Sequence, residues 1–282
     1  MSWSERLGGV GVWRPGPFLD RDLATAIEDL GFGTLWLGGS PGSDLRQAEE
    51  LLDATTSLQL ATGIVNIWAS DAAELADSYH RIEARHPGRL LLGIGSGHRE
   101  ANPERVRPVD AMARYLDVLD AREVPVQSRV LSALGPRMLA MASERSAGTH
   151  PYLTVPSQSG EARAALGPDA LVAPEQTVVL DTDVESARRS ARRFLRLYLG
   201  LSNYTTTMRR AGFTDDDVAG EGSDALVDRL VVHGDAAVIA AAVREHHDAG
   251  ADHVCVQVQP QRDDIVPALR ALAAELKLRP QG

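Results

Sequence analysis

Between His86 and Glu100 the chain reads His-Pro-Gly-Arg-Leu-Leu-Leu-Gly-Ile-Gly-Ser-Gly-His-Arg-Glu. Pro87 and Gly88 stop a helix. Leu90 to Ile94 is a short apolar run without alternation, the pattern of a parallel strand covered on both faces. Gly93, Gly95 and Gly97 let the strand end open into a loop that offers bare backbone and one imidazole, His98. In a parallel sheet ligands sit beyond the carboxyl ends of the strands, so chemistry is expected at this loop. The glycines admit two readings. A dinucleotide fingerprint needs G-x-G-x-x-G running straight into a helix N-terminus. The spacing here is G-x-G-x-G, and Pro103 and Pro108 delay the next helix to about Pro108. A barrel strand kept slim so that a flat ligand can lie against its end fits better.

At 282 residues the chain exceeds the roughly 250 typical of an eight-stranded α/β barrel, which leaves room for one insertion. With 44% apolar residues it can bury a full core. No apolar run approaches the ~20 residues needed to span a bilayer. The start, Met-Ser-Trp-Ser-Glu-Arg, lacks a signal-peptide apolar region, and a cytoplasmic protein is expected. The single Cys255, inside the apolar run Val254 to Val258, excludes a disulfide framework and a Cys-based zinc site. It reads as a buried strand residue, and no metal is expected. A net charge of −10 argues against nucleic acid, whose partners are usually basic.

Taken in order, strands are expected at Gly8 to Trp13, Thr34 to Leu37, Leu58 to Trp68, Leu90 to Ile94, Val130 to Leu134, Tyr152 to Val155, Val178 to Leu180 and Asp252 to Gln259. Amphipathic helices stand between them, such as the one with Leu75, Tyr79 and Ile82 on its core face behind an Asp71/Glu74 cap. Pro136 suits the first turn of another. Gly63 inside the third strand suggests a bulge. The alternation points to βαβ repeats, and length with the misplaced glycine spacing favours a closed (β/α)8 TIM barrel over an open sheet. One barrel domain over 1–282 is expected, with a helical insertion at about 201–233. Arg188, Arg189, Arg192, Arg193 and Arg196 flank a core stripe and read as a solvated face.

Thr62-Gly-Ile-Val-Asn-Ile-Trp68, Tyr79-His80-Arg81-Ile82 and the His86 to His98 stretch together resemble the bacterial luciferase-like monooxygenase superfamily. Within it they resemble the deazaflavin branch, the coenzyme F420-dependent oxidoreductases. Gly148-Thr-His-Pro-Tyr152, Ala173-Pro-Glu-Gln176, Leu199-Gly-Leu-Ser-Asn-Tyr204, Gly234-Asp235 and Asp248-Ala-Gly-Ala-Asp-His-Val254 extend the likeness along nearly the whole chain. The resemblance implies a TIM barrel that holds F420 at the carboxyl ends of its strands, hydride exchange with a small or lipophilic organic substrate, and a homodimer.

It also implies a non-proline cis peptide near Gly63-Ile64-Val65, where the bulge would back the ring. Asn66 either bonds the ring's pyrimidine edge or caps the loop. Ser96 and Gly97 would give backbone contacts to the cofactor tail, and His98 either bonds that tail or transfers a proton. His150 either faces the barrel mouth as a catalytic group or fixes the Gly148–Tyr152 turn. Thr154 to Gly160, with Ser159 among them, precede a helix expected near Glu161, whose first amides would hold the cofactor phosphate. Glu175 is either a buried acid of raised pKa or a structural cap. One departure stands out: many deazaflavin relatives carry Asp-His where this chain has Gly39-Ser40. An FMN-dependent monooxygenase is the alternative in the same fold, and a cofactor-free barrel with a binding role is the alternative from another class.

Overall fold

Short apolar runs separated by amphipathic segments fold as the alternation dictates. The computed structural model describes residues 2–97 and 106–280. A short helix α1 (Trp3–Leu7) precedes β1 (Val10–Pro15), α2 (Arg21–Asp29), β2 (Thr34–Gly38) and α3 (Arg46–Asp53). Then come β3 (Gln59–Gly63), β4 (Val65–Asn66), α4 (Ala72–Arg85), β5 (Leu90–Gly95), α5 (Pro108–Ala121) and β6 (Arg129–Leu131). The chain continues through α6 (Pro136–Arg145), β7 (Gly148–Thr149), α7 (Pro156–Leu166), β8 (Leu171–Val172), β9 (Glu175–Val179) and α8 (Val184–Leu199). It ends with α9 (Ser202–Arg210), α10 (Asp224–Leu230), β10 (Val231–His233), α11 (Ala236–Asp248), β11 (Val254–Val258) and α12 (Val266–Glu275).

These strand segments form one sheet, all of it parallel. From β11 it runs through β1, β2, β3, β5, β6 and β7 to β8. β8 and β9 are one stave interrupted at Ala173-Pro174. On one side the amides of Leu171, Ala173 and Glu175 donate to the carbonyls of Ala147, Thr149 and Pro151. On the other, the amides of Asp252 and Cys255 donate to the carbonyls of Val172 and Pro174. The sheet thereby closes on itself as a (β/α)8 barrel, with β3–β4 and β8–β9 each one stave and β10 added beside β9.

Side chains alternate across the barrel wall as the pleat requires. Leu35, Leu37, Leu60, Leu90, Leu92, Val254 and Val256 pack outward against the helices. Trp13, Trp36, Ala61, Leu91, Val130, Leu171 and Cys255 belong to the second cluster, toward the barrel interior. Asp71 caps α4 by accepting the Glu74 amide at 2.9 Å, and Pro108 and Pro136 occupy the first turns of α5 and α6.

Four expectations change. The fifth stave is β6, ending at Leu131 rather than Leu134. The sixth is β7 at Gly148–Thr149, not Tyr152 to Val155. That apolar run is buried because it lines the barrel mouth as a loop, with Pro151 before it and Leu153 at φ 57°. The seventh begins at Leu171, seven residues before its expected start, because Pro174 interrupts its pairing and hides its first half. The arginine face of α8 is only partly solvated. Arg188 forks onto Asp228 at 2.8 and 2.6 Å and reaches Asp224 at 2.5 Å, Arg192 pairs with Asp224, and both aspartates belong to α10.

Acid should unfold this barrel through its histidines. His150, His246 and His253 are buried, and desolvation pushes their pKa values down to about 4, 4 and 3. The unfolded chain, titrating near 6.5, then binds more protons, so stability present above pH 6.5 is lost as pH falls through that window. Glu175, pushed up to about 7 by desolvation, acts oppositely: its contribution is complete below 4.5 and is lost as pH rises toward 7. Three groups outweigh one. The urea midpoint should drop from pH 6.5 to 4.5, on a scale of about 1.4 kcal/mol per shifted pKa unit. A flat midpoint would mean the imidazoles open to water.

Candidate functional site

The site is built on glycines that face inward. A Cβ on Gly38 would sit 2.2 Å from the Trp13 indole, and one on Gly63 would sit 2.3 Å from its Nε1. Only residues without a side chain let β2 and β3 accept the ring, which Tyr152 holds from the far side with centroids 5.3 Å apart. Gly93 and Gly95 do the same for the break between β3 and β4. The Gly63–Ile64 peptide is cis. A Cβ on Gly93 would fall 1.8 Å from the Thr62 carbonyl oxygen, and one on Gly95 would fall 2.6 Å from Ile64 Cδ1. Ile64 therefore lies against β5 and forms a low wall.

A cavity of about 1040 Å³ opens over this floor at the carboxyl ends of the staves. Ile64, Trp68, Ser96 and Gly97 line one side, and Ser132, Leu134, Gly135 and Met138 another. Tyr152, Tyr198 and Tyr204 form an aromatic wall, and α9 covers it with Asn203, Tyr204, Thr207 and Arg210. Arg107 and Arg210 bring positive charge to the lining, while no Asp or Glu occurs among its described residues. Arg107 pairs with Asp110 at 2.8 Å; Arg210 stands beside Gly135, the N-cap of α6.

Beneath the floor, Trp36 stacks on His150 with centroids 3.9 Å apart and donates its indole N–H to His253 Nε2 at 3.0 Å. His150 Nδ1 donates to the Ala173 carbonyl at 2.7 Å, which leaves Nε2 as a bare acceptor. Desolvation keeps this imidazole neutral at about 4, so it accepts a hydrogen bond and does not give a proton at neutral pH. Glu175 is both a buried acid and a cap. Burial raises it to about 7, and its oxygens accept from Thr177 Oγ1 at 2.5 Å and from the Leu153 amide at 3.1 Å.

Of the residues expected from sequence, Gly63, Ile64, Ser96, Gly97 and His150 come together around the cavity. Val65 points into the core between sheet and helices. Asn66 closes its own turn, its Oδ1 accepting the Trp68 amide at 3.1 Å, while Trp68 Nε1 donates to the Ser96 carbonyl at 2.7 Å. His98 lies outside the described residues. The helix expected to begin near Glu161, behind Thr154 to Gly160, begins instead at Pro156. Ser159 and Gly160 are thus within the helix: Ser159 Oγ is buried against His246 Nδ1 at 2.8 Å, and Gly160 faces the Ala249 carbonyl. Gln158 accepts the Val155 amide and donates to the Thr207 carbonyl of α9, and Thr154 is buried but not part of the cavity lining.

Sequence reasoning gave no site role to Trp13 or Gln257, and it read Tyr198 as part of a core stripe. Tyr152 and Tyr204 lay within the stretches that carried the resemblance, and that was the available signal.

This geometry defines a (β/α)8 barrel with its cavity at the carboxyl ends of the staves. The luciferase-like monooxygenase family model matches residues 20–124, just over a third of the chain. No match to a curated protein was found. Among solved structures, an F420-dependent secondary alcohol dehydrogenase in complex with an F420–acetone adduct superposes with TM-score 0.75 at 13% identity, covering 97% of this chain and 99% of that one. The coenzyme F420-dependent tetrahydromethanopterin reductase of Methanopyrus kandleri gives 0.71 at 17% identity, with 95% and 98% covered. The oxygenating constituent of 3,6-diketocamphane monooxygenase from Pseudomonas putida, in complex with FMN, gives 0.69 at 14%, with 95% and 96% covered. These likenesses establish the fold. Among the described residues no helix is long and apolar enough to cross a membrane, and no cluster of His, Cys, Asp and Glu could hold a metal ion.

Two glycine substitutions separate the scaffold from the cavity. Gly93→Ala drives a methyl into backbone and should cost more than the about 1–3 kcal/mol usual for overpacking. Gly95→Ala meets the mobile end of Ile64, should stay within that range, and should push Ile64 into the cavity. Equal urea midpoints for the two variants would contradict this ranking.

Proposed function

We propose that the chain is an oxidoreductase that holds coenzyme F420 in this cavity and exchanges a hydride with a small organic molecule. The observation that carries the reading is the Gly63–Ile64 break seated on Gly93 and Gly95, which offers a low flat wall to one face of a tricyclic ring. The cavity, about 1040 Å³, has room for a ring and a substrate together. Trp13 Nε1 and His150 Nε2 support the fit. Both belong to residues lining the cavity, both are buried without a partner, and they offer a donor and an acceptor near Gly63.

The cofactor would supply the hydride; the chain supplies position and electrostatics. Ile64 and Trp68 would hold the ring by its face. Arg210, beside the first turn of α6, would draw the anionic tail. Tyr204 and α9 would exclude water from the reacting centre, which strengthens every polar contact inside. With no carboxylate among the described lining residues, a neutral or anionic substrate suits the cavity better than a cation.

Titration of the purified chain with oxidised F420 and, separately, with FMN tests the reading, since the deazaflavin absorbs at shorter wavelength. F420 should bind at least tenfold more tightly than FMN, a difference of about 1.4 kcal/mol. Gly95→Ala should weaken F420 while the far-UV signal persists. Tighter FMN binding would replace the reading with a flavin monooxygenase, and failure of both cofactors would leave a barrel that binds without redox chemistry.

A further inference from the structure

We propose that Tyr198, backed by Tyr152 and Gln257, hydrogen-bonds and protonates the substrate oxygen; this rests on the oxidoreductase reading above. Tyr198 lines the cavity, and its Oη lies 3.0 Å from Tyr152 Oη. Tyr152 in turn donates to the buried Gln257 Oε1 at 2.8 Å. The chain of hydroxyls therefore runs from the cavity inward.

Several of the other described lining groups have no acidic proton to give. His150 commits its one N–H to the Ala173 carbonyl. Tyr152 commits its O–H to Gln257, and Thr207 Oγ1 donates to the Asn203 carbonyl. The arginines stay charged, and aliphatic hydroxyls are far weaker acids than a phenol. Desolvation raises Tyr198 to about 12, which keeps it a neutral O–H donor at any working pH.

Gln257 sets the polarity of the chain. Its Oε1 accepts from Tyr152 and its Nε2 is buried without a partner. A half-turn of the amide would present Nε2 as donor to Tyr152 Oη and free the Tyr152 proton for Tyr198. Tyr198 would then aim its own proton into the cavity. In the reduction of a carbonyl or conjugated enone, a bound reduced deazaflavin would supply the hydride to carbon, and the π electron pair would move onto oxygen. That oxygen takes the Tyr198 proton, and the tyrosinate regains one from Tyr152 or from water as product leaves.

The cofactor-free protein tests this with 4-(dimethylamino)cinnamaldehyde, a conjugated aldehyde whose absorption moves to the red when its carbonyl oxygen is hydrogen-bonded. The wild type should shift the band, and Tyr198→Phe, which keeps the ring, should lose the shift. With F420 and an activated enone, the same variant should lose ~10²–10⁴ in kcat while KM and cofactor affinity change little. Tyr152→Phe should give a smaller shift, and it serves as the second variant if Tyr198→Phe fails to fold. No shift in the wild type, or an equal shift in all three proteins, would overturn the proposal. A Tyr198-dependent shift in a protein that binds neither F420 nor FMN would uphold the hydrogen bond and sink the oxidoreductase reading instead.

Discussion

Everything at the mouth of this barrel depends on how the Trp13 indole is seated. It lies across Gly38 and Gly63, where a Cβ would come within 2.2 and 2.3 Å of the ring. Close-packed interiors leave no slack for such an overlap, so the ring's plane is fixed by two absent side chains. That plane is the cavity floor. Beneath it Trp36 fills the next layer, held by the His150 stack and by its N–H bond to His253, whose Nδ1 donates to the Gly8 carbonyl. Each aromatic thus has a polar edge satisfied within the barrel or turned toward the site.

The same economy explains the loop after β7. The Leu153 amide does not join a neighbouring strand; it donates to the Glu175 carboxyl, and Leu153 takes a positive φ to reach it. Tyr152, one residue earlier, is thereby held over Trp13 with its hydroxyl on Gln257. Glu175 accepts from Thr177 and Leu153, but desolvation outweighs both contacts and raises its pKa. A buried acid near neutrality here shapes the aromatic wall rather than merely filling the core.

Helices and most staves were legible because their patterns are local. The α4 cap and the proline starts follow from residues three or four apart. The likeness carried the Gly63–Ile64 cis peptide, which no periodicity reveals. What was illegible has a common cause. β7 is two residues long and β8 stops before Pro174, so neither shows a period, while the buried loop 152–155 imitates one. The helix α7 was placed five residues late because Ser157, Ser159 and Gly160 resemble a loop in composition, yet Ser159 and Gly160 pack against α11 and its C-cap. The Tyr152 contacts to Tyr198 and Gln257 span 46 and 105 residues, beyond any local pattern.

Helix α8 shows how stability and site share one element. Ala187, Ala191 and Leu195 are buried, and Tyr198 follows on the same stripe at helical spacing. On a neighbouring side, Arg188 and Arg192 grip Asp224 and Asp228 of α10. A bidentate fork fixes orientation as well as distance, since a guanidinium must meet the carboxylate in plane. At 3.6 residues per turn, slipping α8 by one residue would rotate every side chain by about 100°. Arg188 would leave Asp228, and Tyr198 would leave Tyr152. The arginine pairs therefore set the rotation of the helix, and that rotation is what turns Tyr198 toward the cavity.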